Sequence, residues 1–100
     1  MMQVLDTITL ENFYTTAHES YCGCVQDEDY SFLSEEIGIP ISAIQVKNDS
    51  VQMRYAGTTP ESLQIGIRLS LWSEHGEELG YYELVLDAEY KIKDDFLVFN

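Results

Sequence analysis

Between residues 63 and 72 every second side chain is aliphatic. Leu63, Ile65, Ile67, Leu69 and Leu71 point one way; Gln64, Gly66, Arg68, Ser70 and Trp72 point the other. Strict alternation over that length is the period of a β-strand with one buried face, not of a helix. A second run repeats it, with Tyr82, Leu84, Leu86, Ala88, Tyr90 and Ile92 on one face and Glu83, Val85, Asp87, Glu89 and Lys91 on the other. Upstream, Ile44 and Val46 alternate with Gln45 and Lys47, and Val51, Met53 and Tyr55 alternate with Gln52 and Arg54. These short runs flank Asn48-Asp49, residues that tolerate positive φ, and predict a hairpin with a type I′ turn. Lys93-Asp94-Asp95 predicts a further turn and residues 96–99 a short closing strand. Short connections make successive strands antiparallel neighbours. The expected sheet is a four- to five-stranded antiparallel β-meander with one apolar face.

That face needs a cover, and the N-terminal part of the chain is expected to supply it. Leu10, Phe13, Tyr14, Ala17 and Tyr21 recur at helical spacing, with Thr9 placed to cap. Residues 2–8 alternate like a strand but can equally lead into that helix. Residues 31–38 predict a short helix, stopped by Gly38 and Pro40. The fold class is α+β, with N-terminal helical segments packed on one face of the meander. One hundred residues make a single acidic globular domain.

The first Lys or Arg is Lys47. The residues before it hold eight carboxylates and no cation, and the remainder holds ten against five, giving a net charge of −13. Such a balance attracts basic surfaces and repels nucleic acid and anionic membranes. An aromatic content of 12% separates the chain from disordered acidic tails. No run approaches the ~20 apolar residues of a membrane span, and the start has neither the basic nor the apolar region of a signal peptide, so the cytoplasm is the expected compartment. Strand parity places Lys47, Arg54, Arg68, Lys91 and Lys93 on the outer face of the sheet with Glu83, Asp87 and Glu89. Arg68 is expected opposite or diagonal to Glu83 or Asp87. The uncompensated acid then falls at residues 27–36 and 74–78.

No constellation assigns a reaction. His18, Cys22 and Cys24 offer three ligands with one residue between the cysteines, against the four ligands and wider spacing of structural zinc sites. The cysteines read as reduced thiols around a glycine turn, and acidic surroundings disfavour the reactive thiolate. Neither Asp27-Glu28-Asp29 nor Asp94-Asp95 fits a calcium loop. His75 lies in a Gly/Glu loop, and a nucleophile elbow, a phosphate-cradling loop, a dinucleotide fingerprint and a basic stripe are all missing. No catalytic residue, metal or cofactor is assigned, and an enzyme is not expected.

The expectation is an acidic protein-binding module of inhibitor or immunity type. It would dock a basic protein such as a nuclease or other cationic effector. Asp27, Glu28, Asp29, Glu35, Glu36, Glu74, Glu77 and Glu78 would carry the charge, with Trp72 as an anchor unless it packs against Tyr81 across the hairpin. Direct binding to nucleic acid or membrane is not expected. Two alternatives belong to other classes. One is a cone-shaped ligand-binding or simple acid–base domain with Met53, Tyr55, Tyr82 and Tyr90 lining a pocket. The other is a non-catalytic subunit forming a homodimer through the edge strand at 96–99.

Overall fold

A computed structural model describes residues 7–26 and 43–100. Helix α1 (Thr7–Gln26) precedes four strands: β1 (Gln45–Tyr55), β2 (Leu63–Trp72), β3 (Glu78–Leu86) and β4 (Ile92–Phe99). The strands form one antiparallel sheet in the order β1-β2-β3-β4, so each pairs with its neighbour in sequence. The α+β meander expected from the alternation is the observed fold. The short helix expected at 31–38 and most of the ambiguous stretch at 2–8 lie outside the described residues.

The core is the inward face of β2 and β3 closed by one stripe of α1. Ile65, Ile67, Leu69 and Leu71 meet Tyr82, Leu84 and Leu86, and Phe13, Ala17 and Tyr21 lie over them. The three helical residues are four apart, one turn each, which puts them on a single face. Ala17 is fully buried at the centre of that stripe, where a small side chain lets the helix sit close to the sheet. Thr9, expected as the cap, lies inside the helix, which is already formed at Thr7. The helix also runs through Cys22-Gly23-Cys24, so the expected glycine turn does not exist. A Cβ at Gly23 would meet nothing within 4 Å. Gly23→Ala is therefore expected to stabilise the protein by about 0.5–1 kcal/mol, read as a higher urea midpoint at unchanged slope.

Two further expectations are corrected. Asn48-Asp49 is not a turn: β1 runs straight through it as one edge strand, with a register shift between Asn48 and Ser50. Asp49 is the extra residue of a β-bulge. A bulge and a two-residue turn both switch the phase of the alternation, but only the bulge leaves the chain running in the same direction. The second long strand also stops earlier, at Leu86. Residues 87–91 turn, and Lys93, Asp94 and Asp95 belong to β4. In that turn Tyr90 N–H donates to the Asp87 carbonyl (3.0 Å), Asp87 Oδ1 accepts from the N–H groups of Glu89 (2.8 Å) and Lys91 (3.0 Å), and Tyr90 has φ 65°. Those backbone bonds, led by the one from Lys91, hold the Asp87 carboxyl below its usual pKa.

A hydrogen-bonded chain fixes the helix on the sheet. Ser20 Oγ lies 2.7 Å from the hydroxyl of Tyr82, which donates to Asp95 Oδ2 at 2.9 Å. One fully buried phenol on β3 thus ties α1 to β4. Next to it Tyr21 packs edge-on, its ring 5.6 Å from that of Tyr82, with a buried hydroxyl that finds no partner among the described residues. Burial raises the pKa of both phenols, that of Tyr21 to about 12.

Opposite substitution effects follow. Tyr82→Phe should cost about 1–3 kcal/mol, because Ser20 and Asp95 lose their bonds. Tyr21→Phe removes only a stranded polar atom and should be neutral or stabilising by about 1 kcal/mol. A raised phenol pKa gives stability that is full below pH 10 and lost as pH rises towards 12. Tyr21 accounts for about 2–3 kcal/mol of that loss. Urea titrations at pH 8 and pH 11 should show Tyr21→Phe losing less stability between the two than the unmodified chain.

Candidate functional site

Trp72, Glu74, Glu77 and Glu78 lie together at one end of the sheet, where β2 passes into β3. The loop between them is tightly tied. Ser73 N–H donates to the Glu77 carbonyl (2.8 Å) and Gly76 N–H to the Ser73 carbonyl (3.1 Å), with Gly76 at φ 83°. The buried Ser73 hydroxyl accepts from the N–H groups of His75 (3.2 Å) and Glu77 (3.1 Å). This is a type I turn closed by a left-handed residue, a standard three-residue hairpin loop. Its side chains project outward: Glu74, His75, Glu77 and Glu78 are exposed, and Glu74 Oε1 stands 3.8 Å from His75 Nε2. The carboxylates of Glu77 and Glu78 form no ion pair among the described residues.

Trp72 stands at the base of this loop on the outer sheet face. It is partly buried, its indole N–H donates to Ser70 Oγ (2.8 Å), and Lys47 Nζ lies 4.8 Å above its ring. It does not pair with Tyr81. A register shift at Leu71/Trp72 sets Trp72 beside Glu78, and Tyr81 faces Ser70. Tyr81 is instead covered by the Arg68 guanidinium at 4.0 Å. Trp72 is thus held in one orientation with part of its ring accessible.

The remaining expected site residues, Asp27, Glu28, Asp29, Glu35 and Glu36, lie outside the described residues. The chain enters residues 27–42 from the C-terminal end of α1. It leaves them through Ile44 into Gln45, which faces Trp72 in the sheet register.

The cations sort as a group. Lys47, Arg54 and Arg68 stand on the outer face, and Lys93 joins Arg54, Val85 and Phe96 around a shallow outer-face hollow of about 240 Å³. Arg68 faces Glu83 in register and bonds it at 3.2 Å through Nε and Nη2, as its position predicts. Lys91 is corrected: with Asp87 and Glu89 it sits in the β3–β4 turn, its Nζ 3.2 Å from Glu89.

His18 is engaged structurally, Nε2 lying 2.7 Å from Asn48 Oδ1 on the bulged strand. Cys22 is exposed and Cys24 half-buried. Among the described residues no three His, Cys, Asp or Glu side chains gather as a metal site would require. The residues considered for a ligand pocket do not converge. Tyr82 is sealed under α1, Met53 and Tyr55 lie on the β1 edge, and Tyr90 lies in the turn beyond β3. The part sequence reasoning missed was the Ser73 hydroxyl, whose only signal is a Ser placed just before a Glu-His-Gly turn.

No helix among the described residues is long and apolar enough to cross a membrane. No family model matches the chain, nor does any curated protein or solved structure.

Ser73→Ala should remove both loop bonds while leaving the strands intact. The expected result is a stability loss of about 1–2 kcal/mol and faster amide exchange at His75 and Glu77, with Leu69 and Leu84 unchanged.

Proposed function

We propose that the protein is an acidic binding module that docks a basic protein partner, at the sheet end carrying Trp72 and the loop 73–78. The observation that supports it is charge separation. Four of five cations occupy the outer sheet face, while Glu77 and Glu78 project, without an ion pair among the described residues, from a loop tied by Ser73. A partly accessible Trp beside them supplies the aromatic anchor that interfaces favour. Asp27, Glu28, Asp29, Glu35 and Glu36, which lie outside the described residues, belong to the same proposal as further carriers of negative charge. Their segment leaves and rejoins the described chain through α1 and the Trp72 end of β1.

The chemistry fits inhibition of a cationic effector, such as a nuclease whose basic groove holds phosphates. Carboxylates can take the electrostatic place of phosphates, and opposite charge raises the encounter rate. A cytoplasmic site of action belongs to this proposal.

The test starts with capture of basic proteins on the immobilised chain at low salt and identification of what salt releases. Association rates of that protein are then measured against the chain and against Glu74→Lys/Glu77→Lys/Glu78→Lys. The expected outcome is a rate that falls steeply with salt for the unmodified chain and drops at least about tenfold in the triple variant at low salt. Trp72→Ala should instead raise the dissociation rate. Failure to retain a basic protein at low salt, or an unchanged association rate in the triple variant, overturns the proposal.

A further inference from the structure

Two rings on the outer sheet face carry a cation, and the two arrangements differ in completeness. Arg68 lies over Tyr81 at 4.0 Å and bonds Glu83 through Nε and Nη2 at 3.2 Å. Ring, guanidinium and carboxylate form a closed set, each satisfying another. Trp72 also has a ring and a neighbouring carboxylate. Glu78 is its partner in register, so the two side chains leave the same face of the sheet side by side. The cation over Trp72 is Lys47, its Nζ 4.8 Å from the ring centroid, reaching diagonally from β1, where it faces Ser70. Lys47 is exposed, and neither it nor Glu78 forms an ion pair among the described residues.

An exposed ammonium over a ring is held weakly. A guanidinium suits this place better. It can lie flat on the indole and offer a fork of N–H groups that a carboxylate accepts in pairs, whereas an ammonium is a strongly hydrated point charge. The indole is already oriented, its N–H donated to Ser70 Oγ at 2.8 Å, so little ordering is required of it on binding. Lys47 thus holds, from within the chain, the position that an incoming arginine would take.

We infer that Trp72 and Glu78 form an arginine site, at which a guanidinium group of the basic partner displaces Lys47. This assignment rests on the docking proposal and deepens it, because it names the contact as arginine in preference to lysine. Lys47 acts as a resident competitor that a stronger cation must replace. Once displaced, its ammonium returns to water, where it is well hydrated.

Trp72 is the one tryptophan of the chain, so selectively excited indole emission reports this site alone. Emission is followed at low salt as N-acetyl-arginine amide or N-acetyl-lysine amide is added. Arginine amide should change the emission saturably, and at lower concentration than lysine amide. Lys47→Ala should tighten arginine binding about two- to fivefold, the worth of one exposed cation–π contact. Arg54→Ala removes the same charge from the same face of β1, at the end away from Trp72, and should tighten it less. Glu78→Gln should weaken it. No saturable change with arginine amide, equal binding of the two amides, equal effects of Lys47→Ala and Arg54→Ala, or full binding by Glu78→Gln overturns the inference. The docking proposal fails separately. A chain that captures a basic protein through Glu74, Glu77 and Glu78 while Trp72 ignores arginine keeps that proposal and loses the arginine site. A chain that binds arginine amide at Trp72 but retains no basic protein keeps the site and loses the docking.

Discussion

The structure depends on burial of one face of two adjacent strands. β2 and β3 contribute seven large side chains that are almost wholly removed from water, from Ile65 to Leu86. At about 25 cal/mol per Å² this is the largest favourable contribution available to so small a chain. It requires a cover, and the Phe13, Ala17 and Tyr21 stripe of α1 provides one. The edge strands gain less. Met53 and Tyr55 on β1, and Ile92 on β4, stay exposed. Specificity of docking then falls to a few polar contacts along the seam. Tyr82 fixes the helix against β3 and β4 through Ser20 and Asp95, and His18 reaches Asn48 on β1.

The distribution of charge follows from the same sheet. With one face committed to the core, the other must be soluble without being helical. Long cations do this by lying over aromatic rings: Lys47 over Trp72 and Arg68 over Tyr81, with Arg68 also bonded to Glu83. Two of the chain's five cations are used in this way. Among the described residues, further acid stands exposed at 74–78 and on the outer side of α1, where Glu11 and Glu19 face solvent. A bulk charge becomes a polarity, with a mixed, aromatic outer face set apart from acidic margins.

Much of the fold was legible because period-2 alternation survives wherever one sheet face is buried. What escaped was a matter of turn chemistry. The loops at 73–77 and 87–91 have the same design: an i to i+3 backbone bond, a side-chain acceptor at the first position, and a left-handed residue at the fourth. In the first loop that residue is Gly76, and the sequence announces it. In the second it is Tyr90, a bulky residue for which φ 65° is unfavourable, so the sequence reads on as strand. Its ring meets Phe13 edge-on at 5.4 Å, a contact that offsets part of the backbone cost and gives tertiary structure the final word over local propensity. Asn48-Asp49 misled in the opposite sense, because residues suited to a turn are equally suited to a bulge. The candidate site was legible in composition, through its run of acids beside a Trp. The loop's rigidity was not, since one Ser hydroxyl decides it.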